Sequence, residues 1–199
     1  MKVWRTLSYL LIGVGLWQLA ASSWMLVKAE LSQILIARAW SQQLTTGEQR
    51  KPWPWADTWP VASLQLGQEA PLMVLAGTSG QALAFGPGLH EASALPGDPR
   101  QAQQPRTTVI AAHRDTHFRG LGRLQPGMEV HLQEANGRWQ RFRVRHTGVV
   151  DSRHSELPVF SERGLLLVTC YPFNALDAGG PLRFLVYAEY LGEADLVQL

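Results

Sequence analysis

Residues 7–27 read LSYLLIGVGLWQLAASSWMLV, 21 residues without a charge. At about 1.5 Å of rise per residue, a helix of this length crosses the roughly 30 Å hydrocarbon core of a bilayer. No other feature constrains the fold as strongly. It removes this segment from any water-soluble core and leaves the rest of the chain to build a domain by itself. Trp4 and Trp24 stand where the two interfaces would be, and Lys2 and Arg5 precede the span. Positive charges there keep the N-terminus in the cytoplasm, so everything after Val27 is expected outside. The small residues Ala20, Ala21, Ser22 and Ser23 open a competing reading as a cleaved signal peptide. The apolar run is longer than a signal core and continues past them, which favours an uncleaved signal anchor.

Beyond the span, Leu31, Ile34 and Leu35 follow helical spacing, so the helix is expected to continue as an amphipathic one to about Gln43 and to stop at Gly47. Pro52, Pro54 and Pro60 then exclude helix and central strand. They leave an extended connector carrying Trp53, Trp55 and Trp59, whose rings are expected to clamp it onto the domain surface. After Pro60 the pattern changes to short apolar runs separated by turn residues. Residues 61–66, 72–76, 107–112, 128–133, 138–150, 165–169 and 182–190 read as strands. Asn136-Gly137 reads as a hairpin turn between two of them. Phe142 and Val144 alternate with Arg141, Arg143 and Arg145, giving one dry and one wet face. Short helices are expected only near 81–85 and 118–124. The chain is therefore all-β, a sandwich or a barrel, divided into an anchor at 1–27, a helix and connector at 28–60 and a β-domain at 61–199. A net charge of +2 without a dense basic run speaks against nucleic-acid binding.

Cys170 is the only cysteine, so no internal disulfide exists and the thiol is either an inert core group or a reactive one. It ends an apolar run just before Tyr171-Pro172, where a ladder must stop. A polar, glycine-containing loop leads from there to Arg183 at the start of the last strand. His113 follows another apolar strand in the same way. A histidine within reach of a thiol exchanges protons with it and favours the thiolate, and an arginine stabilises a carbonyl oxygen as it gains charge. The three together make an acyl-transfer constellation. His113 and His117 are four apart, but Arg114 stands where a zinc-protease motif needs glutamate, so no metal is expected.

The segment TTVIAAHRDTHF at 107–118, the run LVTC at 167–170 and the downstream Arg183 together resemble the sortases. The anchor, the tryptophan-rich connector and the Phe85-Gly86-Pro87-Gly88 turn are similar to the sortases of Gram-negative bacteria in particular. The turn departs from that pattern in having Leu89 before His90, which affects only the local groove edge. The resemblance runs from the anchor to about Tyr190. It implies a closed eight-stranded β-barrel with short helices behind an N-terminal transmembrane helix, the eighth strand lying between Gly77 and Pro96. It also implies a cysteine transpeptidase that cuts an LPxTG-like C-terminal signal of an exported protein between Thr and Gly and passes the acyl group to an amine. Cys170 is then the nucleophile, His113 the general acid and base, and Arg183 the oxyanion and substrate-orienting group. Thr169 is expected to line the oxyanion site or substrate groove. Asp115 and His117 match the motif without an assigned role. No acidic cluster of the kind that holds calcium in some sortases is visible, so no cofactor is expected. The implied location is the inner membrane, with the domain in the periplasm. A hydrolase using the same residues, or a tethered β-domain scaffold with an inert Cys170, are the rival functions.

Overall fold

The computed structural model describes residues 2–154, 162–175 and 179–194. Part of the loop after Cys170 (176–178), the last residues of the expected β-domain (195–199) and the side chain of Lys2 lie outside the described residues. One helix, α1 (Lys2–Thr46), leads into eight strands: β1 (Pro60–Leu66), β2 (Leu72–Ala76), β3 (Gly88–Leu89), β4 (Thr107–Ala111), β5 (Glu129–Glu134), β6 (Trp139–Asp151), β7 (Gly164–Cys170) and β8 (Leu182–Glu193). Short helices α2 (Gly80–Phe85) and α3 (Arg100–Gln103) and a 3-10 turn at Leu121–Arg123 fill the connections. The strands close into a barrel in the order β1-β2-β3-β4-β7-β8-β6-β5. Pairs β2–β3 and β4–β7 are parallel, and the others are antiparallel.

Each strand alternates its side chains between the barrel interior and the outside. Leu64, Val74, Ile110, Leu132, Phe142, Leu165, Leu167 and Val186 meet inside. The run in β7 is continuous because its outer face is covered too. Leu166 and Val168 pack there with Val109, Leu185 and Tyr187. Burying each such leucine stabilises the barrel by about 2 kcal/mol. The β5–β6 hairpin turns at Gly137, whose φ of +82° suits a left-handed turn position. Strand β3 has only two residues. Gly88 is required there because a Cβ would collide with the carbonyl oxygen of Gly77.

Helix α1 is long and apolar enough to cross a membrane, and none of its most apolar stretch is buried. It ends at Thr46, with Gly47 at φ +72° donating back to the Gln43 carbonyl. The face it turns to the barrel leaves out Leu31 and Ile34, two of the residues that set the helical spacing. Ser32, Ile36, Ala39, Trp40 and Gln43 are buried, and Gln33 Nε2 donates to the Phe85 carbonyl at 2.8 Å. Leu31 and Ile34 are 51% and 62% exposed instead. They extend the apolar stripe of the upstream segment through Trp24 and Val27, a direction that periodicity alone does not distinguish from a protein-facing side. The connector is clamped by Trp53, edge-on to Phe85 at 5.1 Å, and by the Ala76 N–H, which donates to the carbonyl of the half-buried Trp59 at 2.9 Å. Trp55 does not contribute, since it is 80% exposed. The turn that buries Ala56 swings its ring outward.

Candidate active site

Parallel strands finish at the same edge of a sheet. The β4–β7 register pairs Thr107 with Gly164 and Ala111 with Val168. The next residue, Ala112, donates its N–H to the Val168 carbonyl at 3.1 Å. His113 therefore leaves β4 beside the point where Cys170 ends β7. Strand β8 runs the other way and begins at this edge, with Arg183 directly opposite Cys170. Cys170 and Arg183 share the pleat parity of Val168 and Leu185, so both stand on the outer face, at the edge of the apolar patch formed with Val109, Ala111 and Val150. The three residues read from the sequence thus converge from three strand ends. His113 is exposed, while Cys170 and Arg183 are half-buried. Arg183 Nη1 donates to the carbonyls of Gly180 at 2.6 Å and Leu182 at 2.9 Å, which holds its stem along the loop.

Thr169 has the opposite parity and is 3% exposed. Its hydroxyl donates to the Ala112 carbonyl at 2.8 Å, so the hydroxyl itself is committed to the strand joint. The segment after His113 caps the barrel, and the 3-10 turn at Leu121–Arg123 lies inside the short helix expected near 118–124. The Phe118 N–H donates to the His113 carbonyl, and Phe118, Leu121 and Leu124 enter the interior. Phe173, in the loop after Cys170, packs edge-on to Phe184 at 5.2 Å. Its ring occupies the space that a Cβ on Gly122 would need, 2.7 Å away.

Sequence reasoning gave Arg114 no part beyond its conflict with a metal motif, yet it is 6% exposed. Its guanidinium pairs with Asp115 and also donates to the Pro172 carbonyl at 2.6 Å and the Ala175 carbonyl at 3.0 Å. An arginine next to an acid, directly after a strand-end histidine, was the available signal, but burial of the side chain depends on a loop that sequence does not place. The Arg114 hydrogen bonds hold the Asp115 carboxyl below the usual carboxylate range. Burial, aided by the neighbouring His113, pushes His117 down from its ordinary value. Among the described residues, no group of three His, Cys, Asp or Glu side chains is placed to hold a metal ion.

Comparison with known proteins gives a consistent result. A sortase domain model matches residues 65–191. Sortase D of Bacillus subtilis (strain 168) is 29% identical over 122 residues, which is 60% of this chain and 58% of that relative's length. Among solved structures, sortase A from Corynebacterium diphtheriae aligns with a TM-score of 0.56 at 24% identity, over 71% of this chain and 64% of that one. A sortase D5 transpeptidase of Clostridium perfringens aligns with a TM-score of 0.61 at 18% identity, over 82% of this chain and 99% of that one. The structural likenesses establish the closed eight-stranded barrel as the shared fold.

Proposed function

The chain belongs to the sortase family, and from that premise we propose that it is a membrane-anchored cysteine transpeptidase. It cleaves an LPxTG-like C-terminal signal of an exported protein between Thr and Gly and transfers the acyl group to an amine. The observation that carries this reading is the register: Cys170 opposite Arg183, beside the end of the strand that delivers His113.

In the first step the Cys170 thiolate attacks the Thr carbonyl carbon of the signal. The carbonyl oxygen becomes an oxyanion, and the Arg183 guanidinium stabilises the charge there. As the intermediate collapses, the C–N bond breaks and His113 gives its proton to the leaving Gly amine. A thioester to Cys170 remains. An incoming amine then attacks that carbonyl, His113 takes the proton, and the C–S bond breaks to release a new amide. Passing through a thioester conserves the energy of the first amide for the second. Thr169 contributes to the oxyanion site through its position in the strand end, since its hydroxyl holds Ala112. The half-buried Ala111 and Val150, at the rim of the outer patch, line the path along which the apolar part of the signal lies.

The division of labour is an anchor at 1–27, a helix and connector at 28–60, and a catalytic barrel at 61–199. Lys2 and Arg5 hold the N-terminus in the cytoplasm, so the barrel faces the periplasm from the inner membrane. The relatives described above, from Bacillus, Corynebacterium and Clostridium, are Gram-positive proteins. Affinity to the Gram-negative sortases therefore rests on the anchor, the tryptophan-rich connector and the turn at 85–88.

The test is product analysis of an LPxTG peptide incubated with the detergent-solubilised chain, with and without a short glycine peptide as acceptor. The expected product is a ligated peptide with Thr joined to the new amine. Free acid alone, even with acceptor in excess, makes the protein a hydrolase. No cleavage across several signal variants removes the enzymatic reading.

A further inference from the structure

We propose that Arg114 is a positioning residue, a clasp that aligns His113 with Cys170 by tying the two segments that carry them. The proposal rests on the reading of these two residues as acid–base and nucleophile. His113 is exposed and Cys170 half-buried, so packing alone does not wedge either side chain in place. Their alignment is set by their neighbours in the chain.

Those neighbours are joined on both sides. Ahead of the pair, Thr169 Oγ1 donates to the Ala112 carbonyl, linking the residue before the cysteine to the residue before the histidine. Behind the pair, Arg114 Nη1 and Nη2 donate to the carbonyls of Pro172 and Ala175, linking the residue after the histidine to the loop after the cysteine. Asp115 fixes the guanidinium plane from the other side through Nε at 2.8 Å and Nη2 at 3.1 Å. Arginine is rarely this buried without such partners. Its planar fork reaches two separate carbonyls and a carboxylate at once, which a lysine ammonium does not reproduce.

The fold has other means of holding these segments. Phe118 and Leu121 seat the segment after His113 in the barrel, and Phe173 seats the other loop against Phe184 and Gly122. Loss of the clasp therefore leaves both segments attached but free to shift against each other. A displacement of about 1 Å between reacting groups lowers a rate by about a hundredfold.

The experiment uses the full chain in detergent with the Arg114→Gln and Arg114→Lys variants. It reads kcat and KM for signal-peptide cleavage, thermal melting, and the pH dependence of Cys170 alkylation by iodoacetamide. The expected result is a fall in kcat of about 10- to 100-fold in both variants. KM should stay within about threefold, since the clasp touches no substrate. The alkylation profile should move away from that of the wild type in both variants, because His113 no longer faces the thiol. Three results overturn the proposal: kcat within about threefold of wild type in both variants; full recovery of kcat at a temperature where the variant is wholly folded, which makes Arg114 merely structural; or Arg114→Lys restoring normal turnover, which makes its charge the active property. Cys170→Ala is assayed alongside. If it still turns over, the underlying reading of the site fails, a result separable from failure of the clasp.

Discussion

At the edge of the barrel where β4 and β7 finish, the buried polar groups of Thr169 and Arg114 reach across to main-chain carbonyls of a neighbouring segment. At the far end, where β5 and β8 finish, the polar groups instead form a chain among themselves. Tyr190 donates to Gln140, Gln140 donates to Glu134, and Glu134 also accepts the Gly97 N–H, all within 2.7–2.8 Å. Glu134 and Gln140 are 4% and 3% exposed. The far end is closed: its polar atoms are matched to one another, and burial pushes the Glu134 carboxyl above the usual range. The near end keeps its buried polar groups in support of exposed or half-exposed ones. Burial of polar groups is therefore not what marks a site. At the candidate site the buried groups instead brace accessible side chains at strand ends.

This contrast breaks first at the nucleophile. Cys170→Ala should lower turnover by about 10³-fold or more, measured by peptide cleavage, while the melting temperature hardly moves, since the side chain lies at the outer edge. Next comes Arg183→Ala, which should reduce kcat by about 10²- to 10³-fold with KM nearly constant, because the guanidinium acts on charge formed in the transition state. Turnover within about threefold of wild type would remove Arg183 from that role. The far end should respond in the opposite currency. Glu134→Ala leaves Gly97 and Gln140 without their acceptor and should lower unfolding stability by about 2 kcal/mol in chemical denaturation. Its turnover, assayed well below the melting temperature, should be unchanged.

The smallest effect is in the pH dependence of stability, and its sign differs between the ends. His117 has a lowered value in the fold, so its contribution is present above the unfolded histidine value and is lost as pH falls through the folded one. Glu134 has a raised value, so its contribution is present below the unfolded carboxyl value and is lost as pH rises through the folded one. Melting curves should therefore show His117→Gln gaining on wild type toward acid pH and Glu134→Gln gaining toward neutral pH. Equal, pH-independent differences would contradict both assignments.

Much of this was legible in the chain. The Asn136-Gly137 turn and the alternation around Phe142 placed the β5–β6 hairpin, and the apolar run ending at Cys170 placed β7. Two residues cannot display a period, so β3 was visible only through resemblance to a family. The face that α1 turns to the barrel was not legible, because Leu31 and Ile34 carry the same periodic signal whether they meet protein or continue a lipid-facing stripe. The candidate site was legible as three residues at strand ends. What brings them together is the parallel β4–β7 register, a long-range pairing that no local pattern encodes. Arg114 was invisible for the same reason, since its partners lie some sixty residues away in a loop.

The most direct test of the central claim is intact mass spectrometry of the detergent-solubilised chain mixed with an LPxTG peptide, in parallel with Cys170→Ala. The account predicts a mass gain equal to the acyl fragment ending in Thr, present in the wild type and absent from the variant. Cleavage at the same rate in both proteins, with no adduct on Cys170, would contradict it.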